Sequence, residues 1–179
     1  MAKIANISVG GRNPVRIMGI LNTSPESFYK KSINTTRMKI KNTVIQMEND
    51  GADFIDVGGM STAPYLSTSV SEKVESTRIL NAVKIIQDNT NLPISVDTCR
   101  SSVAKNALEH DVEIINDISG LKYDVQMKDV ISKFQPSLIL LLVTAMVLYH
   151  SEKQNWGNEY LGDVHGVVMQ TNIFETLHL

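Results

Sequence analysis

Asp53-Phe54-Ile55-Asp56-Val57-Gly58-Gly59 decides how the chain reads. Its apolar residues are mostly β-branched or aromatic, they do not alternate strictly with polar ones, and the run closes on an aspartate and a glycine pair. A strand covered on both faces has this pattern, as in a parallel sheet, whereas a half-solvated strand alternates. Runs of similar character lie at Val15–Leu21, Ile94–Val96, Val112–Ile115 and Ser137–Val143.

Helical patterns fill the intervals. Ile40, Val44 and Met47 recur at helical spacing, and Gly51 is placed to end that helix. Ser69-Val70-Ser71-Glu72 reads as a capping box, with Ser69 as N-cap, opening a helix through Val74, Val83 and Ile86. Val103, Ala104, Ala107 and Leu108 make a third stripe, and Met127, Val130, Ile131 and Phe134 a fourth. The segment before Val15 carries Gly10-Gly11 and Asn13-Pro14 and reads as a small hairpin.

Strand followed by helix, repeated along the chain, argues for parallel βα units. A closed (β/α)8 barrel typically takes ~250 residues. With 179 residues, the pattern leaves two architectures open: an open α/β sheet or an incomplete barrel of about five strands.

Composition narrows the function classes. The formal net charge is -2, so the basic footprint that neutralises nucleic-acid phosphates is missing. One cysteine, Cys99, excludes an internal disulfide and favours a reducing compartment. The apolar run from Leu138 to Tyr149 is shorter than the roughly 20 residues a membrane helix needs and reads as buried core. We therefore expect a cytoplasmic protein with small-molecule partners and no nucleic-acid or membrane partner.

Polar residues close the first four runs: Asn22-Thr23-Ser24-Pro25, Asp56-Val57-Gly58-Gly59, Asp97-Thr98 and Asn116-Asp117. Ligands bind at the carboxyl ends of parallel strands in barrels and open sheets alike. Any one such residue has an alternative use in capping the following helix. Four in succession, Asn22, Asp56, Asp97 and Asn116, are better explained by one shared rim that binds a ligand rich in ring nitrogens and amino groups. Cys99 lacks a histidine in any nucleophile-like motif and reads as a packing residue, and the four histidines form no metal-ligand spacing.

The residues Ile17 to Phe28 resemble the opening motif of the dihydropteroate synthase family, and Asp53 to Thr62 resemble its second-strand motif. Ile94-Ser95-Val96-Asp97-Thr98 and Ile114-Ile115-Asn116-Asp117-Ile118-Ser119-Gly120 are similar to its third and fourth. The resemblance implies an incomplete (β/α)8 barrel, with residues 1–179 forming a single pterin-binding domain cut short at its C-terminus. It implies an enzyme that condenses p-aminobenzoate with 6-hydroxymethyl-7,8-dihydropterin diphosphate, giving 7,8-dihydropteroate and diphosphate. By the matching motifs, Asp97 and Asn116 would bind the amino-pyrimidine edge of the pterin, with Asp56 at the base of the pocket. Asn22 would hold a Mg2+ on the diphosphate, Thr62 would touch the diphosphate, and Ser27 and Phe28 would help close over p-aminobenzoate. A homodimer is implied as the assembly.

The departures matter too. The family's second-loop arginine is Ala63 here, its first-loop aspartate is Glu26, and no match is found for its later Asp, Lys and Arg/His motifs. Little turnover is therefore expected from these 179 residues alone. The competing readings are a non-catalytic pterin-binding barrel fragment and the pterin-binding domain of a methyltetrahydrofolate-dependent methyltransferase.

Overall fold

The structure, a computed structural model, describes residues 2–24, 36–60 and 70–140. A short antiparallel hairpin, β1 (Ala2–Ile4) and β2 (Ile7–Val9), precedes the main sheet. Five parallel strands follow in sequential spatial order: β3 (Met18–Asn22), β4 (Phe54–Gly58), β5 (Ile94–Asp97), β6 (Ile114–Asp117) and β7 (Ser137–Leu140). Helices α1 (Arg37–Asn49), α2 (Glu72–Gln87), α3 (Ser101–Leu108) and α4 (Met127–Phe134) lie between them.

The helices share one face of the sheet. Leu21, Ile55, Val57, Val96, Ile115 and Leu138 point outward from the strands into one cluster with Ile40 and Val44 of α1, Ile79 and Ile86 of α2, Val103 of α3 and Ile131 of α4. A doubly wound sheet carries helices on both faces and reverses its strand order, and a barrel does neither. Sequential order with helices on one side is therefore the barrel arrangement. The opposite, inward face holds a smaller apolar cluster of Ile4, Phe54, Ile114 and Ile139, so the N-terminal hairpin packs under the amino end of the strands. The Ala5 amide donates to Ser137 Oγ at 2.9 Å and ties the hairpin to β7.

The hairpin forms where expected, but it turns at Ala5-Asn6 rather than at the later glycines. Both turn residues have positive φ, 42° and 70°, the conformation a two-residue hairpin with the right twist requires. Gly51 follows α1 with φ 92° and ends it as expected. The capping box is corrected: Ser71 is the N-cap of α2 and accepts from the Val74 amide, which puts Glu72 at the first helical position. Val74 is 42% exposed, and Glu75 takes the buried place in the stripe.

The first parallel strand begins later than Val15. Val15 is 91% exposed and Ile17 54%. Here Asp53 does the work of an anchor rather than of a strand residue. Its carboxylate accepts from the Ile17 amide at 2.8 Å and from Arg16 Nη1 at 2.9 Å. That tie holds the approach to β3 against the start of β4. Close packing sets one more feature: a Cβ on Gly19 would lie 2.7 Å from Met47 Sδ, so a larger residue there would make the Met47 side chain shift.

The Ile17 amide, with help from Arg16, holds the Asp53 carboxyl below its ordinary value. A carboxyl lowered in the folded state stabilises the fold above its unfolded pKa, and that stabilisation is lost as pH falls through the folded value. Asp53→Ala should lower stability at pH 7 by about 1 kcal/mol, with the gap to wild type closing below pH ~3. Urea unfolding at the two pH values checks this.

Candidate functional site

In-register pairing of the parallel strands builds the rim. Asn22 pairs with Gly58, Gly58 with Asp97, and Asp97 with Asn116. Residues level in register share a face, so Asn22, Asp97 and Asn116 stand in one row on the inward side at the carboxyl end. Asp56 and Ser95, paired with each other, lie one step deeper on the same face. The adjacent residues Val57, Val96, Thr98 and Asp117 point the other way. The expected convergence is present for all four strand-end residues.

Gly58 leaves room in the row. A Cβ there would sit 2.9 Å from Asn22 Oδ1, so Asn22 leans over the place a larger residue would take, and at ordinary contact distance, 4.0 Å, from Asp97 Oδ2. Asn116 Nδ2 donates to Asp56 Oδ2 at 3.1 Å. Asp56 Oδ1, Ser95 Oγ and Asp97 Oδ1 are buried without a hydrogen-bond partner. A buried polar atom left in this state costs ~1–3 kcal/mol. A ligand presenting N–H groups to these oxygens would recover that cost.

Burial, with repulsion from Asp56, Glu75 and Asp117 added, pushes the Asp97 carboxyl up to about 8. Burial also raises the Asp56 carboxyl above its ordinary value. Asp97 keeps part of its surface accessible at the mouth, while Asp56 is buried. The two carboxyls therefore resist carrying full charge together in the unliganded site.

Asp117 serves the fold instead. Its oxygens accept from the Ser119 and Leu121 amides at 2.7 and 3.1 Å and shape the turn after β6. Burial and the neighbouring Asp117 push the Cys99 thiol up to about 12, which fits packing and not nucleophilic attack. Among the described residues no group of three or more His, Cys, Asp and Glu is placed to hold a metal. Ser27, Phe28 and Thr62 lie outside the described residues, as do Glu26 and Ala63.

Of the glycine pair at the end of β4, Gly58 serves the row, and Gly59, just beyond the strand, serves packing. A Cβ on Gly59 would meet Ile79 Cγ1 at 2.9 Å and the Glu75 carbonyl at 3.0 Å. Arg78 Nη1 donates to the Gly59 carbonyl at 3.2 Å. Behind the mouth, Glu75 and Arg100 form a buried ion pair at 2.6 Å that sequence reading missed. The signal was available: Glu75 sits four residues before Ile79 and eight before Val83, on the buried stripe of α2.

A family described as pterin binding enzymes matches this chain over residues 18–175. The chain belongs to that family. Within it, the chain is 40% identical over 126 residues to dihydropteroate synthase of Clostridium beijerinckii, covering 70% of this chain and 46% of that protein. It is 34% identical over 155 residues to dihydropteroate synthase of Bacillus subtilis, covering 87% of this chain and 51% of that one. The chain thus spans about half the length of these curated relatives. Among solved structures it is similar to dihydropteroate synthase of Clostridium difficile in the presence of pteroic acid, with 35% identity and a TM-score of 0.61. That match covers 69% of this chain and 47% of the other. The Xanthomonas albilineans enzyme with 4-aminobenzoic acid matches with 29% identity and a TM-score of 0.59, over 70% of this chain and 45% of the other. The pterin-binding family and the one-sided helices agree on a barrel built from its first strands onward.

A raised folded pKa means that the folded state binds more protons than the unfolded one between about 4 and 8, so stability falls as pH rises through that window. Asp97→Asn removes the titrating group. The variant should gain on wild type by at least ~1 kcal/mol between pH 5 and pH 8. Denaturant melts at the two pH values measure the difference.

Proposed function

We propose that this chain carries the pterin-binding part of a dihydropteroate synthase, the enzyme that joins p-aminobenzoate to 6-hydroxymethyl-7,8-dihydropterin diphosphate and releases diphosphate. The observation that carries the reading is the set of unpartnered inward oxygens, Asp56 Oδ1, Ser95 Oγ and Asp97 Oδ1, at the mouth of a barrel of this family. An amino-pyrimidine edge presents N–H donors, and Asp97 with Asn116 would bind it while Asp56 lies at the base. The solved relatives in complex with pteroic acid and 4-aminobenzoic acid support the same ligand class.

The protein's part in the chemistry is positioning. Held by its ring, the pterin presents its methylene toward the rim, where the bond to the diphosphate oxygen breaks and the arylamine nitrogen adds. The ring can delocalise the developing positive charge, so no covalent help from a side chain is required, and orientation supplies much of the rate. Asn22 suits a Mg2+ on the diphosphate. Its side-chain carbonyl is a hard oxygen donor over the open place at Gly58, and Mg2+ commonly takes only one or two protein oxygens beside phosphate and water. When bound, the ion would offset the charge left on the departing diphosphate. Thr62 is assigned to the diphosphate, and Ser27 and Phe28 to the cover over p-aminobenzoate.

We place the protein in the cytoplasm, in keeping with its single cysteine. Among the described residues no helix is long and apolar enough to cross a membrane. A homodimer is the proposed assembly, and sedimentation at micromolar concentration tests it.

The chain should bind 6-hydroxymethylpterin, and Asp97→Asn should weaken that binding by roughly 10- to 100-fold, the loss of a charge-assisted contact. Isothermal calorimetry measures this. Diphosphate release, expected to be slight from these residues alone, should require both p-aminobenzoate and Mg2+. Methyl transfer to a corrinoid acceptor without any arylamine dependence would overturn the proposal.

A further inference from the structure

Directly behind Asp97 lies a buried polar network that the ligand-binding reading leaves unused. Thr98 points to the helix side, opposite to Asp97. Its hydroxyl donates to Glu75 Oε1 at 2.7 Å and accepts from the Arg100 amide at 3.2 Å. Its own amide donates to the Asn116 carbonyl at 3.1 Å. Glu75 Oε2 accepts from Arg100 Nη1 at 2.6 Å, and the same nitrogen donates to the Val70 carbonyl at 2.9 Å. Glu75 is 1% exposed and Arg100 8%. Gly59 lets the first turns of α2 approach closely enough for Glu75 to reach this place.

We infer that Glu75, Thr98 and Arg100 are a positioning unit for Asp97 and so determine how strictly the site prefers an amino-pyrimidine ring over its dioxo counterpart. The role rests on the proposed function, in which Asp97 reads the amino edge. Thr98 is fixed at three points, and the peptide that links it to Asp97 inherits that constraint. A buried ion pair is weak evidence for stability, because apolar residues of similar volume commonly do as well. What this pair supplies is direction. It ties α2, the turn after β5 and Val70, which precedes the N-cap of α2, into one frame, with Asp97 on the opposite side of the strand.

The test compares 6-hydroxymethylpterin with 6-hydroxymethyllumazine, which carries a carbonyl where the pterin carries its amino group. Affinities are read by fluorescence titration for the wild-type chain, Thr98→Val, Glu75→Gln, Arg100→Met and Arg100→Lys. A site that pairs a polar ligand group discriminates against an analogue that leaves its own groups unmatched, so wild type should prefer the pterin by at least ~30-fold. Thr98→Val should cut that preference about fivefold and Glu75→Gln about tenfold or more, with Arg100→Lys retaining most of what Arg100→Met loses. The ratio is indifferent to the fraction of molecules folded. If Glu75→Gln does not fold, Thr98→Val, which keeps the ion pair, carries the test. Equal loss of both ligands with an unchanged ratio means a structural role only and overturns the inference while leaving the proposed function standing. A wild-type chain without preference overturns the assignment of Asp97 itself, and the inference with it.

Discussion

The register between parallel strands governs this structure more than any single bond does. Because β3, β4, β5 and β6 pair without slippage, Asn22, Gly58, Asp97 and Asn116 come level, and the two-residue period turns the polar side chains inward together. A shift of one residue in any strand would send its polar side chain into the helix-facing core and bring an apolar neighbour to the rim. The outward cluster of Leu21, Ile55, Val57, Val96 and Ile115 resists that shift, since each would leave its packed place. The apolar face therefore maintains the polar one.

The deeper rows of the inward face serve different ends. Phe54, Ile114 and Ile139 meet Ile4 of the hairpin and form an apolar plug. Asp56 lies two residues beyond Phe54 on β4 and is enclosed yet polar, as is Ser95 beside it on β5. On β6 and β7 the plug reaches higher, with Ile114 level with Ser95 and Ile139 level with Asn116. The polar groups of the inward face are therefore flanked by apolar ones on the β7 side.

Much of this was legible in the sequence because it rests on local pattern. The apolar runs identify β4 through β7, and the strand-end rule places Asp56, Asp97 and Asn116 before any coordinates are known. Val15 reads as strand but lies outside it, because β-branched character marks a strand and not its start. The tie from Asp53 to Ile17 decides that start, and it joins residues 36 apart in the chain. Ser69 reads as an N-cap because a glutamate three residues on fits a capping box, whereas the helix begins one residue after Ser71. Glu75 and Arg100 escaped notice since charged residues are by default assigned to solvent. An acid on an apolar stripe is the clue that outweighs that default. Choosing barrel over open sheet needed the observation that every helix packs on one face.

The bond from Ala5 to Ser137 spans 132 positions of sequence, and that distance bears on how the chain is made. Ribosomes add roughly 5–20 residues each second, so the first hairpin emerges well before its docking partner exists. For on the order of ten seconds Ile4 has at most the part of its cover that Phe54 and Ile114 supply, because Ile139 comes last. Contacts this remote in sequence also slow spontaneous folding, since loop closure precedes any gain from the contact. The hairpin and β7 are therefore joined late, and β7 acts as the latch for a segment translated well before it.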